Sequence, residues 1–208
     1  YSGWDDPKLP TIRALLRRGF QPEAFKECAL ACSLSKTDIV FNWQSLETIN
    51  RRVLDPKANR YMVVFDPVKI LLKNYPRTDT VRLNLHPDFP KRGRKRVPLR
   101  SFVYISREDF KSLGGKEIRL KGLFNVKLVS NMGVYTGDEI VTEMPKIQWV
   151  SEPNISVEVV KPEGKAKGIG EPAMIKLKQG EMIQMERVGF ARVDSKNRKR
   201  ISVYFAHR

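Results

Sequence analysis

The spacing of apolar residues changes near residue 60 of this 208-residue chain. Before that point apolar side chains recur every three or four positions, as Ile12, Leu15 and Leu16 do, which is the period of an amphipathic helix. After it, short apolar or alternating runs stand between Gly, Pro, Asn and Asp residues, which is typical of β-strands joined by turns. The pattern predicts a helical region over residues 1–59 and β-structure over the rest.

Start and stop signals place the first helix between Pro10 and Gly19, because proline suits the first turn of a helix and glycine suits its end. We expect its apolar residues to pack against the protein. Arg13, Arg17 and Arg18 are then expected to face outward, where a polyanion could use them.

Two more helices are predicted before residue 60. The second starts at Pro22. The third is capped by Asn42 and ends where Asp55 and Pro56 interrupt the helical pattern. Together the three helices form a small N-terminal bundle.

The rest of the chain contains ten apolar runs: YMVVF at 61–65, VKILL at 68–72, VRLNL at 81–85, FVYI at 102–105, IRLKGLFNVKLV at 118–129, KIQWV at 146–150, ISVEVV at 155–160, AMIKL at 173–177, EMIQMERVGFARV at 181–193 and ISVYF at 201–205. Short strands at such close spacing form barrels or sandwiches. We therefore predict an α+β fold that is mainly β, in which the small helical bundle is followed by two β-barrels.

The segment GKAKGIG at 164–170 has the glycines and lysines of a phosphate-binding loop. Such a loop follows a strand and opens a helix, whereas Glu171 and Pro172 come next here. The segment is therefore predicted to be a barrel loop.

The chain has 39 lysines and arginines against 23 aspartates and glutamates, a formal net charge of +16. An excess of this size favours an anionic partner, which charge alone leaves open between an RNA, a DNA and a membrane surface. No apolar run approaches the roughly 20 residues of a membrane span, and no signal peptide opens the sequence. We expect a cytoplasmic protein, and the first residue, Tyr1, suggests a piece of a longer one.

No motif for a catalytic nucleophile, a nucleotide phosphate or a metal is found in the sequence. Cys28 and Cys32 are the only cysteines, and His86 and His207 do not form a second ligand pair at zinc spacing. We expect reduced thiols, no metal site and no catalytic residue in this chain.

Seven segments carry a resemblance to a known family: GWDDPKLPT at 3–11, RRGFQPEAF at 17–25, NRRVLDPKANRYMVVFDPVK at 50–69, HPDFP at 86–90, KEIRLKG at 116–122, WV at 149–150 and GEMIQMERVGF at 180–190. In this order they resemble the region that follows the catalytic domain in class I glutamyl- and glutaminyl-tRNA synthetases of the archaeal and eukaryotic type. The resemblance covers nearly the whole chain. It implies a helical stem-contact and connector region at 1–59, a proximal barrel at 60–78 and 150–208, and a distal barrel at 79–149 that is inserted into the proximal one.

The resemblance also implies which residues meet the anticodon. Arg60, Gln184 and Arg187 match the positions that enclose the middle anticodon uridine in the family. A glutamine can both donate and accept hydrogen bonds at the edge of uridine, and the arginines add donors. The alternative is that Gln184 and Arg187 are outward-facing strand residues and that Arg60 only pairs with an acidic residue. Because tRNA(Glu) and tRNA(Gln) both carry this uridine, the trio is not expected to distinguish them.

Further basic residues are assigned to RNA in the same way. Arg119 and Lys121 match positions that lie against the first anticodon base and its phosphate, and residues two apart on a strand share a face. The run KRGRKR at 91–96 allows three interpretations: a nuclear-import signal, a solvated loop or a patch that attracts phosphates. The residues assigned to the RNA backbone are Lys36, Arg17, Arg18, Lys91, Arg92 and Lys111.

The resemblance thus implies the tRNA-binding part of a glutamate-specific synthetase, which we expect to be a monomer that binds tRNA(Glu) and is inactive alone. It leaves tRNA(Gln) open as a second partner, and it implies ATP and magnesium only for the longer enzyme. Two alternatives remain: the same part of a glutaminyl enzyme, and a free-standing RNA-binding barrel of ribosomal type. The basic pair that reads the third base in glutaminyl enzymes has no clear counterpart here, which favours the glutamyl interpretation.

Overall fold

The computed structural model describes residue 1, residues 3–33 and residues 42–208. The described residues form the α-helices α1 (Ile12–Arg18), α2 (Pro22–Ser33), α3 (Trp43–Leu54) and α4 (Arg107–Leu113), and the short 3-10 helices η1 (Pro90–Arg92) and η2 (Pro172–Lys176). Their strands are β1 (Asn59–Tyr61), β2 (Val63–Phe65), β3 (Pro67–Lys73), β4 (Thr80–Asn84), β5 (Arg94–Pro98), β6 (Phe102–Ser106), β7 (Glu117–Leu120), β8 (Asn125–Val129), β9 (Met132–Gly137), β10 (Lys146–Ile147), β11 (Ile155–Lys161), β12 (Gly164–Gly170), β13 (Met182–Met185), β14 (Gly189–Lys196) and β15 (Arg200–His207). The prediction of a helical region followed by mainly β-structure is confirmed.

Helix α1 begins and ends where the sequence signals place it. The hydroxyl of Thr11 accepts a hydrogen bond from the Ala14 amide at 3.1 Å, and Gly19 ends the helix with a φ of 110°, which glycine adopts without strain. The predicted orientation of the helix is correct only in part. Leu15 is buried and Arg13 is exposed as expected. Ile12 is 64% exposed, however, because α1 packs the side that carries Arg17 and Arg18 against β14 and β15.

Helix α3 is capped by Asn42, whose side chain accepts a hydrogen bond from the Gln44 amide at 2.9 Å, and it ends before Asp55 as predicted. Helices α2 and α3 pack against each other. The core beneath the helices combines residues of the helical region with two residues of the last strands, Phe190 on β14 and Ala206 on β15. Its members from the helical region are Leu15, Phe20, Ala24, Leu46, Leu54 and Ala58. The helical region is therefore packed onto the β-structure.

Seven strands form one sheet, in the order β1-β13-β14-β15-β11-β12-β2. Its two edge strands follow each other in the chain, with only Met62 between them. Because consecutive strands lie at opposite edges, the sheet curls back on itself. We call this sheet the first barrel.

A second sheet of six strands has the order β10-β7-β8-β9-β3-β6. It also curls, because Tyr104 on the edge strand β6 exchanges backbone hydrogen bonds of 2.7 and 3.0 Å with Val150, just beyond the other edge strand. The hairpin of β4 and β5 packs Val97 and Leu99 into the same core. We call this sheet and its hairpin the second barrel.

The second barrel is inserted into the first, as the resemblance implies. The first uses strands within residues 59–65 and 155–207, and the second uses strands within residues 67–147. The division lies at Asp66, with a φ of 43°, rather than at residue 78 as expected, because β3 pairs with β6 and β9 of the second barrel. The turn residues at 76–79 instead separate β3 from β4.

The continuous apolar run at 61–65 lies between the two barrels. Tyr61 and Val63 pack into the core of the first barrel, whereas Met62 and Val64 pack into the core of the second. Side chains on a strand alternate between faces, so a strand that is buried on both faces needs apolar residues at every position. This run joins the barrels.

Two segments differ from the prediction. GKAKGIG forms β12 and not a loop, and AMIKL lies in η2 and not in a strand. On β12 a Cβ at position 168 would lie 2.6 Å from the carbonyl oxygen of Val64, so Gly168 lets β2 pass at close range. Gly168, one of the glycines that indicated a loop, therefore serves a close approach between strands.

The helices within the described residues are all too short or too polar to cross a membrane.

Candidate nucleic-acid interface

Arg60 and Gln184 lie side by side on neighbouring strands of the first barrel. Strand β1 runs parallel to β13, and the register pairs Arg60 with Gln184. Ile183 and Met185 point into the core of the first barrel, so Gln184 and its neighbour project from the opposite face. The structure thus brings together two of the three residues predicted to read the middle base.

Both side chains carry a buried polar atom without a partner. Within the described part of the chain, no hydrogen bond reaches Nε of Arg60 or Oε1 of Gln184. Another nitrogen of the same guanidinium lies 3.1 Å from the carboxylate of Asp55. A buried donor or acceptor left unpaired costs about 1–3 kcal/mol. The fold therefore leaves a donor and an acceptor unsatisfied on adjacent strands, and such groups are candidates for a functional role.

A pocket of about 200 Å³ opens beside Arg60, between the first barrel and the β4–β5 hairpin. Its charged lining consists of Arg60, Lys95, Lys121 and Glu186, and its other lining residues include Met62, Leu83 and Pro87. A few charged groups on partly apolar walls suit a small planar ligand with a polar edge.

A buried ion pair fixes the backbone that carries Arg60. The side chains of Lys95 and Glu171 are 4% and 0% exposed, and Nζ lies 2.7 Å from Oε1. The Lys95 ammonium also donates to the Arg60 carbonyl at 2.7 Å, and Glu171 Oε1 accepts from the Met62 amide at 2.7 Å. Burial raises the pKa of Glu171, against the opposite effect of Lys95. The pair holds the segment between β1 and β2 in place.

Glu186 connects the end of β13 to the second barrel. Its carboxylate lies 2.5 Å from Nζ of Lys121, which follows β7. The side chain of Glu186 is 14% exposed and that of Lys121 is 43% exposed, so the lysine lies on the solvent side of the pair. Lys121 therefore lies at the same pocket as Arg60.

Arg187, the next residue, makes a second connection between the barrels. Its two terminal nitrogens lie 2.8 and 2.9 Å from the two carboxylate oxygens of Asp109 on helix α4. These hydrogen bonds raise the pKa of the Arg187 guanidinium. The backbone of Arg187 has a φ of 60°, in a region that costs non-glycine residues of order 1–3 kcal/mol and is common at functional sites.

Arg187 faces a different opening from Arg60. This groove has a volume of about 790 Å³ and lies between the two barrels and the helical region. Its lining is mixed in charge, with Arg18, Lys161 and Arg187 opposite Glu47 and Glu163. The structure therefore places the third predicted middle-base residue at the same hairpin as Gln184 but on a separate cavity.

The guanidinium of Arg119 is used within the second barrel. It donates to the Asn125 side chain at 2.7 Å and to the carbonyl oxygens of Leu123, Asp138 and Glu139 at 2.9, 3.0 and 3.3 Å. With these contacts Arg119 holds the chain after β9 against β7. In this structure the Arg119 donors bind acceptors of the protein, so a contact with the first anticodon base would require Arg119 to give up some of these hydrogen bonds.

Arg17 and Arg18 attach α1 to the first barrel. Arg17 lies 2.8 Å from the Asp5 carboxylate and stacks over the Tyr204 ring at 4.5 Å. Arg18 donates to the carbonyl oxygens of Phe205 and Ala206 at 2.9 and 2.6 Å, and burial lowers its pKa. The expectation that both face outward is wrong, because Arg18 binds carbonyl oxygens of β15 and Arg17 binds Asp5 and the Tyr204 ring.

The remaining predicted backbone contacts differ in their surroundings. Arg92 in η1 donates to the carbonyl oxygens of Pro56, at 2.8 Å, and of Lys57, which ties the β4–β5 hairpin to the end of α3. Lys91 and Lys111 are exposed. Lys36 lies outside the described residues.

Four residues of this region were missed at the sequence level: Lys95, Asp109, Glu171 and Glu186. A usable signal existed for two of them. Glu186 stands between Gln184 and Arg187 in IQMER, and Ser106 stands three residues before Asp109, which is typical of a helix start. Lys95 and Glu171 carried no such signal, because their pairing depends on the approach of two distant segments.

Comparison with known proteins identifies the class to which this chain belongs. Residues 58–145 and 146–194 match two models of the anticodon-binding domain of class I tRNA synthetases (E and Q), and residues 1–56 match the model of the catalytic domain of the same group. The chain belongs to the class I tRNA synthetases of the E and Q group, which confirms the resemblance. The helical region expected to serve as a connector is thus matched by the catalytic-domain model.

Curated relatives narrow the class. The chain is 36% identical to the glutamate–tRNA ligase of Methanoculleus marisnigri, 38% identical to that of Methanosarcina barkeri and 38% identical to that of Pyrococcus horikoshii. Each comparison covers 100% of this chain but only 38–39% of the relative. The chain is therefore similar to the part of these archaeal ligases that includes the anticodon-binding domain.

Proposed function

We propose that this chain is the tRNA-binding part of a glutamate–tRNA ligase and that Arg60, Gln184 and Arg187 read the middle base of the anticodon, Arg187 from the separate groove at the same hairpin as Gln184. The observation that carries the proposal is the pair of unpaired polar atoms, Nε of Arg60 and Oε1 of Gln184, on adjacent strands. Membership of the synthetase group supports an RNA ligand over other polyanions.

The chemistry of the two unpaired atoms matches uridine. The edge of uridine presents an N–H donor flanked by two carbonyl acceptors. An arginine N–H can donate to a carbonyl, and a glutamine oxygen can accept from the N–H. Cytosine presents an acceptor in place of that N–H, so the oxygen of Gln184 would face a lone pair. The site therefore favours uridine over cytosine.

Binding to tRNA(Glu) transcripts with uridine or cytosine in the middle of the anticodon tests the proposal. Gln184→Ala and Arg187→Ala are each expected to weaken binding of the uridine transcript by about 1–3 kcal/mol, the usual cost of a lost base contact. The same substitutions should change binding of the cytosine transcript little. Gln179→Ala, in an exposed turn before β13, is the matched control and should leave both affinities unchanged.

Unchanged affinity of both Gln184→Ala and Arg187→Ala for both transcripts would contradict the assignment. A uniform loss for both transcripts would indicate a contact with the RNA backbone, because such contacts carry no base information.

Glutamate specificity rests on the relatives and not on the middle base. The anticodons of tRNA(Glu) and tRNA(Gln) share the middle uridine and differ at the third base, which is C in one and G in the other. We propose tRNA(Glu) as the partner, with stronger binding to a transcript whose third base is C. A preference for G would support the glutaminyl alternative.

The activity of the whole protein is part of the same proposal. Attachment of glutamate to tRNA requires ATP and magnesium and takes place in the cytoplasm. The residues that the structure describes include no group of three His, Cys, Asp or Glu side chains that could hold a metal ion. They do not fit a magnesium site, so we derive no step of the reaction from them.

A further inference from the structure

Arg187 is held by a carboxylate of the other barrel. Asp109 lies on α4 of the second barrel and contacts the guanidinium through both of its oxygens, at 2.8 and 2.9 Å. A bidentate pair of this kind fixes both the position and the plane of a guanidinium. The direction of the remaining Arg187 donors therefore depends on a residue 78 positions away in sequence.

Asp109 is itself held firmly. Its side chain is only 7% exposed. The hydroxyl of Ser106 donates to its Oδ2 at 2.7 Å and accepts a hydrogen bond from its backbone amide at 3.1 Å. This reciprocal cap at the start of α4 fixes the carboxylate relative to the helix, so α4 and the Arg187 guanidinium form one rigid unit.

The ion pair leaves part of Arg187 open. A guanidinium has five N–H donors, and a bidentate carboxylate uses two of them. The Arg187 side chain is 47% exposed, so part of it remains accessible to a ligand. Because Asp109 balances the positive charge, Arg187 attracts a phosphate less than a free arginine does. A neutralised guanidinium with its donors held in fixed directions suits the carbonyl edge of a base.

We propose that Asp109 is a positioning residue, which orients Arg187 toward a carbonyl edge of an anticodon base. The proposal rests on the proposed function, since it requires that Arg187 contacts the anticodon. It adds that base preference depends on a carboxylate that does not itself touch RNA, and on the contact between α4 and the turn after β13.

A second aspartate–arginine pair nearby supplies a matched control. Asp66 lies 2.7 Å from Nε of Arg107, at the start of α4, and the two side chains are 66% and 51% exposed. Asp66→Asn removes one negative charge next to an arginine, as Asp109→Asn does, but leaves the contacts of Arg187 in place. A general electrostatic effect on RNA binding would appear in both variants.

The experiment measures binding of the chain and its variants to tRNA(Glu) transcripts with uridine or cytosine in the middle of the anticodon. Asp109→Asn is expected to reduce the preference for uridine by about fivefold or more, the scale of one base contact. Asp66→Asn should keep the wild-type preference. A general gain of affinity in Asp109→Asn with an unchanged preference would overturn the proposal, because Asp109 would then only shield the charge of Arg187.

Arg187→Lys provides a second route if Asp109→Asn does not fold. Lysine keeps the charge but cannot make the bidentate contact, so this variant should lose preference as Asp109→Asn does. Full preference in Arg187→Lys would overturn the proposal.

The failure of this inference can be told apart from the failure of the proposed function. A wild-type chain without preference for uridine overturns both. Loss of preference in Arg187→Ala together with full preference in folded Asp109→Asn overturns only the role of Asp109.

Discussion

The first barrel has two joints, one with the helical region and one with the second barrel, and they use basic residues differently. At the helical joint Arg18 donates to carbonyl oxygens of β15 above a core that contains Phe20 and Phe190. Arg17 is paired with Asp5 at the same joint, but it also stacks over the Tyr204 ring of the barrel. At the joint between the barrels, Lys121 and Arg187 are paired with carboxylates. The basic residues at the helical joint therefore hold the helical region against the barrel.

The difference indicates where a base can be read. A guanidinium bound to backbone carbonyls in a packed joint has few donors left, although it keeps its full charge. A guanidinium that is paired with a carboxylate at the rim of a groove has a balanced charge and accessible donors. Base reading is therefore expected at the joint between the barrels, and the helical joint is expected to contribute stability.

The largest effect is expected from the core of the helical joint. Phe20 is 2% exposed and its ring lies 5.5 Å from that of His207. Phe20→Ala should lower the free energy of unfolding by about 3–5 kcal/mol, because it leaves a cavity between α1 and the barrel. Urea denaturation measures this. Leu16→Ala, at a 38% exposed position on the same helix, should cost only roughly 0.5 kcal/mol, and similar costs for the two would contradict a packed joint.

The next effect concerns the buried pair between the barrels. Lys95→Met should cost about 3 kcal/mol, since it leaves Glu171 without its charged partner. Burial already raises the pKa of Glu171 and loss of the Lys95 ammonium raises it further, so the cost should increase as the pH rises above the pKa that Glu171 has in the wild-type fold. Denaturation at several pH values measures both trends.

Lys176→Met is the control for the buried pair. Lys176 is exposed on η2, one turn beyond Glu171. The substitution Lys176→Met should lower the free energy of unfolding only slightly at any pH. Equal losses from Lys95→Met and Lys176→Met would show that the buried pair does not stabilise the joint.

A smaller effect is expected from His207 at the helical joint. Burial lowers the pKa of His207 below its ordinary value of 6.5, and Nε2 lies 2.8 Å from the Asn50 amide nitrogen. The unfolded chain then takes up a proton before the folded one, so the free energy of unfolding should fall as the pH decreases below about 6.5. His207→Gln should flatten this dependence in denaturation between about pH 7.5 and pH 5.5. An unchanged slope would contradict the buried neutral imidazole.

The smallest effect is expected from the tip of the β4–β5 hairpin. Lys91 is exposed, so Lys91→Ala should reduce the salt dependence of tRNA binding by about one phosphate contact without changing base preference. Arg92→Ala should instead destabilise the fold, because Arg92 binds the Pro56 carbonyl. Titration of tRNA at several salt concentrations measures the effect of Lys91→Ala, and urea denaturation measures the effect of Arg92→Ala. A shift of base preference in Lys91→Ala would contradict a role in phosphate attraction.

The sequence predicted those elements whose signals are local. The capped ends of α1 and α3 and most long strands follow from residues within a few positions of each other. Strand β5 was missed because RKRVP is basic, and only a strand in which Lys95 points inward explains it. Helix α4 was missed because only Phe110 and Leu113 of its residues are apolar, which is too few for a helical period to be evident.

The candidate site was predicted in part for the same reason. Motif similarity identified Arg60, Gln184 and Arg187, and the parallel pairing of β1 with β13 places the first two together. It did not indicate that Asp109 holds Arg187, or that Arg119 is bound by its own barrel. Those partners are separated along the chain or lie in loops, and no periodic pattern connects them.

The sequence by itself determined the class of fold, the helix ends, the family and the residues that could meet an anticodon, because each of these depends on local pattern or on motif order. The tertiary structure decided which of the basic residues remain available. A guanidinium binds whichever acceptor lies nearest, and only the packing of the two barrels and the helices determines whether that acceptor is a carbonyl of β15, the carboxylate of Asp109 or an open site for RNA.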